Sequence, residues 1–278
     1  MSREQHVSLH VPVSEPDWIA PTSLEDAVAL RAQHGDDATV LAGGTFVGIL
    51  MNQGFLTPSA LLSLGALDEL RRIEIVDGEL HLGAMVTHRT VERAAEIRER
   101  WPVLARAFSL VASPRVRNQA TVGGVLADAD YASDPPAVLA ALGARVVLRS
   151  ARGERSVGID ELILDHYQTC IQPDELLIEA RVPPHPAKAT YRKFRSRSVE
   201  DRPCVAVAAA RSDSGLRVVV GAVAGRPQEF PELCDGDPAE VGARYAERID
   251  PLGDARGSAA YRRRVIAAEV RRAVEEVS

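Results

Sequence analysis

Two glycine pairs stand out for the chemistry they allow. Gly43-Gly44-Thr45 follows a short apolar run in "LAGGTFVGIL", and Gly123-Gly124 follows Thr121 in "ATVGGV". Glycine has no Cβ, so its backbone can pass close to a ligand and take positive φ. Consecutive free amides in such a turn form a concave nest for an anion, and a helix starting beside it adds partial positive charge. Neutral backbone can therefore hold a pyrophosphate without a lysine, with the Thr45 and Thr121 hydroxyls as further donors. Taken singly, each pair reads first as a tight turn. Together, sharing one apolar–Gly-Gly–apolar pattern, they read either as two turns or as two sides of a diphosphate grip.

The familiar phosphate motifs do not account for them. A Walker loop begun at Gly43 reaches Gly48 and then needs Lys and Ser or Thr, where the chain has Ile49 and Leu50. Glycines at 43, 44 and 48 do not make GxGxxG either. Net charge −6 over 278 residues disfavours a nucleic-acid binder. Cys170, Cys204 and Cys234 make no CxxC pair and no zinc spacing, so reduced, unpaired thiols are expected. No apolar run approaches the roughly 20 residues that span a bilayer. The leading stretch "MSREQHVSLHVPVSEPDW" has no apolar core of a secretion signal, so a cytoplasmic protein without a membrane span is expected.

Placing the glycines requires the elements around them. Thr22-Ser23-Leu24-Glu25 reads as a capping box opening a helix that Gly35 stops. "ATVLA" then reads as a strand that the first pair ends, with a helix beyond it. Ala60 to Leu64 reads as a strand. "RRIEIVDGELHLGAM" reads as a hairpin turning at Asp77-Gly78. Helices are expected from about Thr87 to Arg100, Pro102 to Ala112 and Pro135 to Leu142, the last stopped by Gly143. "ARVVLRS" and "ELLIEARVP" read as strands, with a turn at Arg152-Gly153. "PPHPAKAT" reads as a linker. Beyond it come three strand-like runs and two helices, at about 238–248 and 258–276, which suggests a separate α+β domain.

The order of these blocks resembles the FAD-binding medium subunit of the molybdenum hydroxylases, the group of xanthine dehydrogenase and carbon monoxide dehydrogenase. The resemblance is carried by "PTSLEDAVALRAQHGDDATVLAGGT", "LHLGAMVTHRTVE", "ASPRVRNQATVGGVLADADYASDPPAVLAALGARVVL", "DELLIEARVPP", "YRKFRSRSVED" and "DARGSAAYRRRVIAAEVRRAV". It spans nearly the whole chain. It implies an α+β fold: a two-subdomain FAD-binding domain of the PCMH/vanillyl-alcohol-oxidase-like type, then a C-terminal α+β domain of the carbon monoxide dehydrogenase flavoprotein type. The expected units are 1–57, 58–183 and 188–278.

The resemblance also implies roles by position. Val40, Leu41, Ala42, Gly43, Gly44, Thr45, Phe46 and Val47 match the first pyrophosphate loop, and Thr121, Gly123 and Gly124 the second. Asp134 matches an acid that hydrogen-bonds a ribose hydroxyl; the competing reading from its neighbours is a helix cap before Pro135-Pro136. Val111 and Leu177 match residues packing at the flavin, and Lys193 one reaching the cofactor. Leu177 also has an ordinary reading as a strand core residue, and Lys193 as an exposed strand lysine. His88 is a loop-fixing residue or a general base, and Arg115 and Arg117 attract phosphate or face solvent. Phe46, Val125 and Tyr131 depart from the family pattern, which usually has a polar residue, Asn and Pro there; the two rings would stack near the flavin or tighten the pocket. No residue is expected to act as a catalytic acid or base, and none to bind metal.

The implied function is to pass electrons from iron–sulfur clusters to FAD and on to NAD+, oxygen or a quinone. A molybdenum-cofactor large subunit and a 2Fe-2S small subunit would be the partners, in a dimer of heterotrimers. A stand-alone FAD oxidoreductase of this fold, and a scaffold that has lost FAD, are the alternatives.

Overall fold

The structure is a computed structural model describing residues 15–198 and 200–278. The stretch read for a secretion signal lies largely outside them. Strand β1 (Asp17–Ile19), helix α1 (Leu24–His34), strand β2 (Ala38–Leu41), helix α2 (Val47–Asn52) and strand β3 (Ala60–Ser63) form the first unit. Its sheet is parallel, in the order β1-β3-β2. The expected break at residues 57–58 thus falls before the middle strand of this sheet. The cap of α1 sits one residue later than expected: the Ser23 hydroxyl accepts from the Asp26 amide, and the Asp26 carboxylate accepts from the Thr22 amide. Gly35 ends the helix at φ +50°, as its position suggested. Leu24, Ala27 and Val28 pack on Ala38 and Leu62, which leaves the C-terminal end of β2 and the glycine loop at the surface of this small core.

The second unit holds strands β4 (Ile73–Val76) and β5 (Glu79–Gly83), then helices α3 (His88–Arg93), α4 (Ala95–Arg100), α5 (Pro102–Ser109), α6 (Pro114–Arg117), α7 (Val122–Asp128) and α8 (Pro135–Ala141). Strands β6 (Arg145–Ser150) and β7 (Gly153–Gly158), helix α9 (Ile159–Leu162), and strands β8 (Ile163–Asp165), β9 (Gln168–Thr169) and β10 (Leu176–Val182) follow. The main sheet is antiparallel in the order β4-β5-β10-β6-β7. The β4–β5 hairpin turns at Asp77 and Gly78, both at positive φ, as an Asp-Gly pair demands. The helix expected from Thr87 to Arg100 is two helices, because Ala94 leaves the helical region at ψ +122°.

A larger correction concerns the second glycine pair. Gly123 and Gly124 do not form a loop. They occupy the first turn of α7, capped by Thr121. Glycine is a poor helix former, so the sequence reads as a turn. Packing decides otherwise: a Cβ on Gly123 would lie 2.6 Å from the Ala84 Cβ, so only glycine lets this turn sit against β5's end.

The third unit is an antiparallel sheet, β11 (Lys188–Phe194), β12 (Val205–Ser212), β13 (Gly215–Gly221) and β14 (Gln228–Glu229), with helices α10 (Pro238–Arg248) and α11 (Ala259–Val277). The expected linker is short, since β11 begins at Lys188. Side chains alternate across a strand. Ala206 and Ala208 therefore face α8, while Val205 and Val207 face α10 and α11, and both faces are buried. That explains the unbroken apolar run "VAVAAA". Among the described residues, no helix is long and apolar enough to cross a membrane.

Candidate functional site

The three units meet around one open cleft of about 760 Å3. The first glycine loop forms one wall. Among the described residues, the amides of Gly43, Gly44, Thr45 and Phe46 meet no acceptor. The loop's two glycines do different work. Gly43 sits where the second unit comes closest: a Cβ there would lie 1.9 Å from the Gln119 carbonyl oxygen. Gly44 has room for a Cβ but takes φ +68°. Together they shape a run of four residues that line the cleft with no acceptor for their amides, the kind of loop that can hold an anion.

The second glycine pair contributes differently. The Val122 amide donates to the Val86 carbonyl (2.9 Å), and Gly123 to the Ala84 carbonyl (2.8 Å). The Gly124 amide donates to Thr121 Oγ1 at 3.1 Å. These donors are spent within the protein, so this side is not the second amide nest that the sequence suggested. Only Gly124 of the pair points toward the first loop: a Cβ there would lie 2.9 Å from Thr121 Oγ1 and 3.9 Å from the Ala42 Cβ, whereas Gly123 is packed on Ala84. The Thr121 hydroxyl keeps its proton for an outside acceptor.

Behind this space lies a buried polar group. Asp134 Oδ1 accepts from the Tyr191 hydroxyl at 2.5 Å, and Oδ2 from Lys193 Nζ at 2.9 Å. Lys193 also donates to the Leu110 carbonyl (2.8 Å). Burial pushes the Asp134 carboxyl up and the Lys193 ammonium down, and each opposes the other's shift through its charge. Asp134 makes no cap bond to α8, which removes the helix-cap reading. Tyr191, fully buried on β11, was not singled out from the sequence, where it looks like any apolar strand residue.

Val40, Ala42, Phe46, Val47, Val111 and Leu177 all line the cleft. Leu41 stands behind the loop instead, its carbonyl accepting from the Leu64 amide. Leu177 sits just before a bulge in β10 that turns this strand's start toward the cleft. Val111 is held by Arg117, whose guanidinium donates to the Val111 and Ala112 carbonyls and to Glu92. Arg117 is therefore a loop brace rather than a phosphate ligand, and Arg115 is exposed outside the cleft wall.

His88 is a loop-fixing residue. It is 1% exposed, its amide donates to the Ala120 carbonyl, and Nε2 lies 3.2 Å from the Thr121 carbonyl. That bond makes Nε2 the protonated nitrogen. Burial lowers its pKa to about 4. At the cleft mouth, Asp128 is raised to about 7 by burial and by Asp130, and Arg202 opposes the shift. The sequence marked this acidic stretch, but only Asp134 within it.

A cradle of free amides, a gap that glycine alone leaves open and a buried acid with its lysine fit a dinucleotide bound by its diphosphate. That defines a nucleotide-cofactor protein. The FAD binding domain in molybdopterin dehydrogenase matches residues 12–185. The chain is 33% identical over 272 residues to the 6-hydroxypseudooxynicotine dehydrogenase complex subunit alpha of Paenarthrobacter nicotinovorans, covering 92% of each. It is 32% identical to the nicotine 6-hydroxylase medium subunit of the same organism, over 93% of this chain and 96% of that one. Among solved structures, a carbon monoxide dehydrogenase from Hydrogenophaga pseudoflava superposes with a TM-score of 0.89 at 29% identity, covering 95% of this chain and 97% of that one. The chain belongs to the FAD-binding medium subunits of the molybdenum hydroxylases, a family of oxidoreductases, and has their fold.

Proposed function

We propose that this chain carries FAD between an iron–sulfur donor and a diffusible acceptor. The observation that carries the reading is that the acceptor-free amides of Gly43 to Phe46 and the Asp134–Lys193 pair line one cleft. FAD supplies electron exchange that no side chain here offers. The protein's part is to hold and orient it. The first loop would bind the diphosphate, with Thr45 and Thr121 adding hydroxyl donors. Gly124 would give the diphosphate room, and Gly123 lets α7 sit close on β5's end. Asp134, fixed by Tyr191 and Lys193, has lone pairs left to accept from a ribose or ribityl hydroxyl. Val111 and Leu177 would pack on the flavin and keep water away.

The electrons would come from 2Fe-2S clusters on a small subunit, which receives them from a molybdenum cofactor on a large subunit. NAD+, oxygen or a quinone would take them on. The relatives' names, a complex subunit alpha and a medium subunit, support a multi-subunit setting. A dimer of heterotrimers in the cytoplasm, with 188–278 as the docking unit, completes the proposal. Uptake of FAD by the purified chain tests it. A flavin spectrum in near-equal molar ratio to protein is expected. Absence of flavin bands with FAD in excess would overturn it.

A further inference from the structure

Four aromatic rings run without a gap from the cleft to the third unit. Phe46, at the start of α2, lines the cleft, and its ring centroid lies 5.2 Å from that of Tyr167. Tyr167 stacks on His166 at 3.8 Å, and His166 meets the Tyr131 ring edge-on at 4.8 Å. The Tyr131 hydroxyl donates to Asp254 Oδ2 at 2.6 Å. Asp254 is held by Arg256 and by the fully buried Arg262, each at 2.6 Å.

Two observations set this run apart from ordinary packing. Tyr167 is 48% exposed yet takes φ +56°, a region that L side chains enter at a cost. Its amide donates to the Ala129 carbonyl at 3.0 Å, which holds the strained turn between β8 and β9 and aims the ring at Phe46. In addition, Phe46 follows a loop whose amides are uncommitted and precedes a helix with no buried residue. The Gly44 and Phe46 carbonyls accept from the Gly48 and Leu50 amides, so the loop moves with α2.

We propose that Tyr167 is a positioning residue for the cofactor. Through Phe46 it holds the Gly43–Thr45 amides in diphosphate-binding geometry. Through His166 and Tyr131 it ties that geometry to Asp254 in the third unit. By reciprocity, whatever orders Asp254 and Arg256 tightens FAD, and bound FAD orders them in turn. The inference rests on the cleft holding FAD.

The test titrates FAD into the full chain stripped of flavin, following the quenching of flavin fluorescence. Tyr167→Ala is expected to weaken FAD binding about five- to tenfold, the scale of one lost aromatic pair, with the apo midpoint of thermal unfolding kept. Tyr167→Phe, which keeps the ring, is expected to bind like the parent. Tyr131→Phe, which keeps the ring and removes the hydroxyl's bonds to Asp254 and Arg256, is expected to weaken binding by a smaller factor. The double variant Tyr131→Phe/Tyr167→Ala should then be no weaker than Tyr167→Ala alone, since the run is already cut. Parent-like binding by Tyr167→Ala, or a double-variant loss equal to the product of the single losses, would overturn the proposal. Tyr167→Leu serves the same comparison if the alanine variant does not fold. A parent chain that takes up no FAD would instead overturn the reading of the cleft itself, and the proposal with it.

Discussion

Lys193 reaches from the first strand of the third unit into the second, where its ammonium sits 2.9 Å from Asp134 Oδ2. Both side chains are almost wholly buried, at 2% and 4% exposure. The pair therefore joins two units and furnishes the cleft's polar floor at once.

Breaking that pair should show in both roles. Lys193→Met leaves Asp134 buried without its hydrogen-bonded counter-charge, and removing one partner of a buried pair costs about 3–5 kcal/mol. The orphaned carboxyl would titrate above its unfolded value of 3.8. The folded state then binds the proton more tightly than the unfolded one, so stability is present at low pH and lost as pH rises. Thermal unfolding of Lys193→Met is expected to show a larger deficit at pH 8 than at pH 5. Flavin content should fall with it.

The two adjacent glycines of the first loop should fail differently. Gly43→Ala places a methyl where the Gln119 carbonyl lies, at 1.9 Å, and backbone must move. Gly44→Ala meets only Leu41 at 3.5 Å, and its penalty is the left-handed backbone, about 1–2 kcal/mol. Asn visits that region more readily than other residues. The flavin-to-protein absorbance ratio should therefore order as parent, Gly44→Asn, Gly44→Val. Gly43→Ala should lose flavin and thermal stability together. Equal behaviour of Gly43→Ala and Gly44→Ala would contradict this division of labour.

His88 gives the chain an acid limb. Its folded pKa, about 4, lies below the unfolded 6.5. Above pH 6.5 neither state is protonated and the residue is neutral to stability. As pH falls from 6.5 to 4, the unfolded chain takes up a proton that the fold refuses, and stability declines by up to about 3 kcal/mol. His88→Gln keeps a donor for the Thr121 carbonyl and cannot titrate. Its unfolding midpoint should change less than the parent's across that window in a pH series of thermal melts.

Asp128 works in the opposite direction. Its folded pKa, about 7, lies above the unfolded 3.8. The parent loses stability as pH rises through that interval, because the fold holds a proton that it must give up. Asp128→Asn should raise the unfolding midpoint above pH 7, on the order of 1–2 kcal/mol after solvent screening, with the gain shrinking toward pH 4. A gain that does not vary with pH would locate the effect in packing instead.

Residues whose conformation is dictated locally were legible in the sequence. Asp77-Gly78 turned a hairpin, Gly35 and Gly143 ended helices at positive φ, and the period of the last two helices matched within a residue or two. The first glycine loop was legible as a loop ending β2, and its proposed phosphate-binding role came only from its context. Features set by distant neighbours were not. Gly123-Gly124 is helical because Ala84 lies against it. Asp134 takes its setting from Tyr191 and Lys193, more than fifty residues on. The strands β8 and β9 are too short to show a period, so Tyr167 and His166 passed unremarked. Phe46 and Tyr131 were noted as departures from the family pattern. Nothing in the sequence indicated that the rings of residues 166 and 167 connect them.

The order of strands in the main sheet has a consequence for how the chain matures. Strand β10 is its central strand, yet it is the last of the five to be made. During synthesis the two flanking hairpins, β4–β5 and β6–β7, emerge as separate edges and wait for residues 176–182 to be threaded between them. Lys193 follows later still. The first glycine loop therefore leaves the ribosome long before its opposite wall exists. The cleft that would receive the flavin is thus closed only by the last strands to be made.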